Sequence, residues 1–188
     1  MGKVVARDGA APLGAMLVAI ALTGCAAAPT TAPREYLDEQ TAATITVVQK
    51  PWIFTRAENS ANAPRDYLHL YAIDVNRMGE HRQYFAALQS APLADALPPI
   101  LELKAGGQVV TLERAAQEPR ELGIAQPIAE SYTLTAAWSY FPVDKQTLAA
   151  LANAGDLEAR LIHLQGPMTY VLWRDGRNEL SELTAVLP

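Results

Sequence analysis

One cysteine and three histidines are the side chains of this sequence best suited to nucleophilic or metal chemistry. A zinc site needs several such ligands at short, characteristic spacings, but His69, His81 and His163 are far apart and Cys25 has no second thiol. The nucleophile motif Gly-x-Ser-x-Gly does not occur either. We therefore predict no metal site, no cofactor and no catalytic residue.

Cys25 ends a segment that has the three parts of an export signal. Lys3 and Arg7 make its beginning positive, and no charged residue occurs over the range 9–33. The apolar part has about the length of a signal-peptide core and closes on Leu22-Thr23-Gly24-Cys25. This tetrapeptide resembles the lipobox of bacterial lipoprotein precursors. The resemblance implies that lipid is attached to the Cys25 thiol and that the chain is cut just before it.

The alternative of a transmembrane anchor is weaker, because a spanning helix needs roughly 20 strongly apolar residues and this segment contains Pro12 and Gly14. More than one acyl chain gives stable membrane anchoring. Ala26 follows the cysteine, where Asp often marks retention in the inner membrane. The resemblance thus implies a lipid-anchored protein of the outer membrane that faces the periplasm.

The chain divides into three parts on this interpretation. Residues 1–24 are the signal peptide, residues 25–33 are the lipidated cysteine with an Ala/Pro/Thr tether, and residues 34–188 are a single β-rich periplasmic domain. The full chain has 15 basic and 20 acidic residues, a formal net charge of −5. A mildly acidic chain without a basic cluster argues against nucleic-acid binding.

Alternating apolar residues and frequent turn signals predict a mainly β domain. We expect an antiparallel sandwich or open barrel of about eight strands with one short helix at about residues 144–154. Gly106-Gly107 predicts a hairpin turn that pairs Ala105 with Gln108, Leu103 with Val110 and Leu101 with Leu112. A second hairpin is predicted at 67–75 and 81–89.

Further strands are predicted at 131–141, 157–164 and 168–173. Within the first of them, Tyr132, Leu134, Ala136, Trp138 and Tyr140 are expected to face a core. Asp144 is the predicted helix cap, and 153–155 its left-handed stop. The tail at 179–187 fits either a helix or a hairpin strand.

Aromatic residues offer one binding hypothesis. A ligand groove can be lined by the tryptophans and three tyrosines, namely Trp52, Trp138, Trp173, Tyr132, Tyr140 and Tyr170, although core packing is the commoner role for such side chains. Trp173 and Arg174 stand at a predicted turn. Exposed Trp and Arg are the usual hot spots of protein interfaces, so these two residues are the candidate interface.

The sequence therefore predicts a non-enzymatic lipoprotein that contacts the bilayer through acylated Cys25 and an envelope protein through its domain, in envelope assembly or maintenance. The stretch Arg34–Arg56 is similar to uncharacterised lipoproteins of proteobacteria, which implies no activity. One alternative is a small envelope hydrolase, or a module for glycan or lipid, with a pocket lined by acids, aromatic rings and His69 or His163. Another is a structural protein that binds only peptidoglycan.

Overall fold

The computed structural model describes residues 32–57, 66–90, 97–130 and 136–188. The predicted signal peptide, the lipidation site Cys25, most of the tether and Tyr132 lie outside these residues. Thr31–Pro188 form one compact unit. Among the described residues, no helix has the length and apolar character that crossing a membrane requires.

The described residues form ten strands and two short helices, and the predicted fold class is confirmed: the fold is mainly antiparallel β, in one open sheet that does not close into a barrel. The strands are β1 (Arg34–Asp38), β2 (Ala43–Val47), β3 (Trp52–Arg56), β4 (Tyr67–Arg77), β5 (Glu80–Gln89), β6 (Ile100–Ala105), β7 (Gln108–Glu113), β8 (Ala137–Pro142), β9 (Leu157–His163) and β10 (Gly166–Arg174). The helices are α1 (Lys145–Ala152) and α2 (Arg177–Val186). Strand β1 was not predicted, and α2 settles the ambiguous tail as a helix.

Strand β4 is the centre of the sheet. One of its edges pairs with β5, and the other pairs first with β3 and then with β2. The break between β2 and β3 contains Pro51, which has no backbone N–H to donate to a neighbouring strand. The sheet branches there, since β1 adds to β2 while β10, β9, β6 and β7 follow from β3. Strand β8 adds to the free edge of β5.

The two sheet ends approach each other. The backbone N–H of Ala115, just after β7, donates to the carbonyl of Tyr140 in β8 (2.8 Å). The sheet therefore curls and encloses one face, which we call the inner face. Its large buried side chains come from seven strands: Phe54, Leu68, Leu70, Phe85, Leu101, Leu103, Phe141, Leu161 and Tyr170.

Both predicted hairpins are confirmed. In the first, Ala105 pairs with Gln108, Leu103 with Val110 and Leu101 with Leu112, as the alternation required. The turn residues Gly106 and Gly107 have φ of 55° and 81°, which suits a primed two-residue turn. In the second, Met78 and Gly79 are the turn and also have positive φ, 55° and 89°.

Strand β8 is described from Ala137, and residues 131–135 of the predicted strand lie outside the described residues. Tyr140 is buried as expected, and Phe141 on the opposite face is fully buried beside Phe85. The predicted start of α1 is confirmed, but its predicted left-handed stop was wrong. Asp144 does cap α1, since its carboxylate accepts the Thr147 N–H (2.6 Å). However, Asn153 ends the helix in a right-handed conformation.

The segment between β7 and β8 covers part of the other face of the sheet, which we call the outer face. Leu122, Ile124 and Ile128 of this segment are buried in the hydrophobic core. The fully buried carboxylate of Asp38 holds the segment by accepting the backbone N–H groups of Ala125 (2.7 Å) and Gln126 (2.9 Å). This segment is therefore a packed cover of the sheet.

Helix α2 closes the fold against the break between β2 and β3. A Cβ at Gly176, just before α2, would lie 2.7 Å from the carbonyl oxygen of Lys50, so only glycine permits this approach. The Lys50 ammonium lies 3.6 Å from the buried Glu179 carboxylate. At the other end of the helix, Lys145 of α1 donates to the Leu187 carbonyl (2.6 Å).

Candidate functional site: an aromatic row on the outer face

Five rings from three strands form a continuous row on the outer face of the sheet. They are Trp173 of β10, Tyr67, His69 and Tyr71 of β4, and Trp138 of β8, and we call them the aromatic row. In that order, the ring centroids are separated by 5.4, 6.4, 6.5 and 5.8 Å. All four separations lie within the range of about 4.5–7 Å in which aromatic pairs attract each other. The row is therefore one packed surface.

The alternation of side chains along β4 explains why the three middle rings of the row share one face. Successive side chains of a strand point to opposite faces, so Tyr67, His69 and Tyr71 face outward while Leu68 and Leu70 are buried on the inner face. The signal was visible in the sequence as three rings at a spacing of two. Their spacing predicts one shared face of a strand, but not that this face points outward.

Strand β5 separates β4 from β8, and its small side chain allows the row to cross. Ala86 pairs with Tyr71 on one side and with Tyr140 on the other. Since alanine fills little space above the sheet, Trp138 reaches the Tyr71 ring and also stacks on the Tyr140 ring, with centroids 6.4 Å apart. Burial raises the pKa of Tyr140 above its ordinary value, so its hydroxyl stays neutral.

A β-bulge brings the two predicted interface residues to the same face. The pairing of β10 with β3 shifts between Leu172, which faces Phe54, and Arg174, which faces Ile53. A bulge inserts an extra residue and re-aims side chains, so Trp173 and Arg174 are both on the outside although they are consecutive. The Arg174 guanidinium carbon lies 5.5 Å from the Trp173 ring centroid, the geometry of a cation–π contact.

Arg174 also acts on the histidine of the row. Ile53 pairs with Arg174 on one side and with His69 on the other. Partial burial lowers the pKa of His69, and the positive charge of Arg174 lowers it further. His69 is therefore neutral at pH 7. Arg174 is exposed and makes no ion pair with the described residues.

Exposure varies along the row. Trp173 is 54% exposed, Tyr67, His69 and Trp138 are half-buried, and Tyr71 is buried. An open cleft of about 370 Å³ is lined in part by Tyr71, the fourth ring of the row, and by Ile128 of the segment between β7 and β8. The row thus offers aromatic surface to solvent mainly at its Trp173 end, beside the Arg174 cation.

The other half of the outer face is built from charges. Glu102 and Lys104 of β6 pair with Arg160 and Glu158 of β9, and we call these four residues the charged ladder. Arg160 and Glu158 also form an ion pair at 3.0 Å. Val171 of β10 lies beside Glu158 and marks the boundary with the aromatic half.

The described structure contains a second, buried polar cluster on the inner face. The hydroxyl of Tyr170 donates to the Asp66 carboxylate (2.7 Å) and accepts from the Gln89 amide (2.9 Å). All three residues are buried. Burial, followed by the Asp66 charge, raises the pKa of Tyr170. Because these groups join the residue before β4 to β5 and β10 away from solvent, we assign them a structural role.

The predicted groove of tryptophans and tyrosines was wrong. Trp52 and Tyr170 are buried on the inner face, whereas Trp138, Tyr140 and Trp173 lie on the outer face. Side chains on opposite faces of one sheet cannot line one groove. The candidate interface pair, Trp173 and Arg174, does lie together on the surface.

The histidines are also separated. His69 belongs to the aromatic row, while His163 is buried at the end of β9. His81 bonds through Nδ1 to Asp74 (2.7 Å) on β4. No group of three or more His, Cys, Asp or Glu in the described ranges is arranged to hold a metal ion.

A cleft of about 490 Å³ lies beside the approach of β7 to β8. Arg82, Gln83 and Asp144 give it polar walls, but neither His69 nor His163 lines it. This cleft therefore differs from the pocket expected for the hydrolase alternative.

Comparison of the chain with protein-family models, curated proteins and solved structures finds no match.

Proposed function

We propose that the protein is a lipid-anchored, non-enzymatic lipoprotein of the cell envelope, which faces the periplasm from the outer membrane and contacts another envelope protein in assembly or maintenance. The anchor is the acyl-modified Cys25, and the tether holds the domain at a distance from the bilayer. The export segment and the Leu22-Thr23-Gly24-Cys25 tetrapeptide support this part of the proposal.

The exposed end of the aromatic row carries the contact part of the proposal. Trp173 is more than half exposed, packs on Tyr67 and holds Arg174 over its ring. Large exposed apolar patches on soluble domains mark interaction sites, and Trp, Tyr and Arg dominate the binding energy of protein interfaces. A partner would therefore bind here with Trp173 as its anchor.

The test is site-specific photo-crosslinking in cells that produce the full-length protein. A photoreactive residue is placed at Trp173 or Tyr67 and, as matched controls, at Val109 and Leu164, which are exposed apolar residues outside the row. We expect a defined crosslinked protein from the row positions only, because only they lie at the proposed contact. Equal crosslinking from all four positions would contradict the proposal.

A Cys25→Ser version separates the anchor from the contact surface. If the thiol carries the lipid, this version should leave the membrane fraction and lose the crosslink at position 173. Retention of the unlipidated protein in the membrane would refute the lipoprotein part, whatever the crosslinks show.

A further inference from the structure

We propose that strand β1 is a latch for residues 114–130, which we call the cover segment, so that the two open together and expose apolar surface on the outer face of β2 and β4. The latch follows from contacts within the domain. Its use rests on the proposed function, because an anchor at Cys25 would pull the chain at the beginning of β1.

The cover segment is held by side chains of β1 and of the turn that follows it. The Arg34 guanidinium donates to the carbonyl of Ile128 (3.0 Å), and the Thr41 hydroxyl donates to the carbonyl of Gly123 (2.8 Å). The Asp38 carboxylate accepts the backbone N–H groups of two successive cover residues, at 2.7 and 2.9 Å. One short stretch of chain therefore supplies four hydrogen bonds to the cover segment.

Little else holds the cover segment in place. It contains no helix or strand. The other hydrogen bond between its residues 116–130 and the rest of the described protein comes from the Arg77 side chain, at 3.3 Å. Of its buried apolar side chains, Leu122 lines two open clefts, of about 490 and 340 Å³, and Ile128 lines a third of about 370 Å³. Segments with few hydrogen bonds and few packed neighbours are those that open locally.

Strand β1 is an edge strand with a weak hold on the sheet. It pairs with β2 over five residues, and no other described strand pairs with it. Three of its five side chains are exposed. Its remaining contacts come from Tyr36, which packs against the core, and from the buried Asp38. The contacts of Asp38 to the cover segment are therefore a large part of what keeps β1 in place.

The two segments depend on each other. If β1 left β2 while the cover segment stayed, the half-buried N–H groups of Ala125 and Gln126 would lose the Asp38 carboxylate as their acceptor. A buried donor without an acceptor costs more free energy than the hydrogen bond contributes. Energetic coupling between two sites is reciprocal, so a loosened cover segment also weakens β1. The two segments therefore open as one unit.

Opening exposes apolar surface that adjoins the aromatic row. Gly123 lies directly on the outer face, because a Cβ at this position would be 2.8 Å from Cγ1 of Val75 and 3.3 Å from Cβ of Ala43. Both of these side chains are buried. Tyr71 of the row and Ile128 of the cover segment line the same cleft. Removal of the cover segment would therefore extend the exposed surface from the row toward β2.

The position of β1 in the chain gives the latch its use. Strand β1 begins at Arg34, directly after the tether, and the Gln49 side chain donates to the carbonyl of Ala32 (2.7 Å) just before it. In a protein anchored at Cys25 and bound to a partner, tension on the tether acts on β1 before any other strand. The surface beside the row would then enlarge when anchor and partner are pulled apart.

The first test is hydrogen exchange of the full-length protein in detergent micelles, read by mass spectrometry. We expect β1 and the cover segment to exchange faster than β4. Gly123 has a φ of 95° and no room for a Cβ, so Gly123→Ala should raise exchange in both segments by about tenfold or more. Gly155→Ala is the control, because a Cβ there meets nothing within 4 Å. Faster exchange of the cover segment with β1 unchanged overturns the inference.

A disulfide between β1 and β2 tests the latch from the other side. Glu35 and Thr46 are directly paired, and Glu35 points away from the face that holds the cover segment. In the full-length Cys25→Ser protein, Glu35→Cys and Thr46→Cys supply the only thiols. Oxidation should slow exchange in β1 and in the cover segment, and reduction should restore it.

The matched control is a disulfide in the β6–β7 hairpin, from Lys104→Cys and Val109→Cys, which are also directly paired. It should leave exchange in the cover segment unchanged. Exchange of the cover segment that does not respond to the disulfide between β1 and β2 overturns the inference. So does exchange as slow as that of β4, since the cover segment would then open only when the whole domain unfolds.

Failure of the latch is distinct from failure of the proposed function. If photo-crosslinks at Trp173 and Tyr67 capture a defined protein while β1 and the cover segment exchange independently, the contact surface stands and the latch is wrong. If the two segments open together but no crosslink forms, the latch stands and the proposed contact is wrong.

Discussion

Strands β4 and β8 carry aromatic rings on the outer face, whereas β6 and β9 of the same sheet carry charges there. Both halves follow the same alternation, and both have a buried inner face. In the charged ladder, side chains lie opposite residues of opposite charge on the neighbouring strand and contact water. In the aromatic row, the rings pack against each other, but Trp173 and Tyr67 remain in contact with solvent.

The two halves of the outer face differ in how far folding alone explains them. Opposite charges across a pair of strands are a common, weakly stabilising arrangement on a solvated face. Contact between an aromatic ring and water does not stabilise the fold, and rings of similar size are buried elsewhere, as Phe54 and Phe141 are. The fold alone accounts for the ladder, while the exposed end of the row is where the proposed partner would bind.

A third region of the outer face is already covered, by the segment that Asp38 holds. If that segment detached, a second apolar area of the outer face would be exposed beside the aromatic row. Asp38→Asn removes a charge that accepts the N–H groups of Ala125 and Gln126. Hydrogen bonds to a buried charge contribute about 1.5–3 kcal/mol each, so we expect a loss of about 3 kcal/mol in the free energy of unfolding, measured by urea denaturation.

The pH dependence of this loss has a definite sign. Burial, the largest single influence, would raise the pKa of Asp38, but the backbone N–H groups of Gln126, Ala125, Gln40 and Thr41 together outweigh it and lower the pKa. The stabilisation is therefore complete above the unfolded value of about 3.9 and is lost as pH falls through the lower folded value. If the free energy of unfolding fell equally at low pH in Asp38→Asn and in the unmodified protein, this assignment would be wrong.

Two substitutions, one in each half of the outer face, compare how much the aromatic row and the charged ladder contribute to stability. Tyr67→Ala removes a ring packed between Trp173 and His69 and should cost about 1.5 kcal/mol, the scale of a half-buried aromatic side chain. Arg160→Ala breaks the ion pair with Glu158 and should cost less than about 0.5 kcal/mol. The measurement is again urea denaturation, and equal costs would mean that the two halves do not differ.

The smallest expected effect concerns His69. Its pKa is lowered by burial and then by Arg174, so the unfolded chain binds a proton more readily than the folded protein. Stability from this residue is complete above the unfolded pKa of about 6.5 and declines as pH falls below it. The difference in unfolding free energy between the unmodified protein and His69→Gln should shrink over this range. A difference that is independent of pH from 7 to 5 would refute it.

Local sequence signals determined much of the fold. Gly106-Gly107 fixed a turn and, through the period of two, the register of β6 with β7. Asp144 fixed the start of α1, because its side chain caps the first turn regardless of distant residues. Trp173 with Arg174 was recognisable as an exposed pair because polar turn residues follow it in the sequence.

Only the tertiary structure decided which residues share a face with that pair. The aromatic row joins β10, β4 and β8, which are distant in sequence, and depends on a bulge at Leu172 and on the small side chain of Ala86. The role of Asp38 was equally hidden, since its partners Ala125 and Gln126 follow it by more than eighty positions. Alternation specifies only that a side chain points to one of two faces. The pairing of distant strands then determines its neighbours and whether water reaches it.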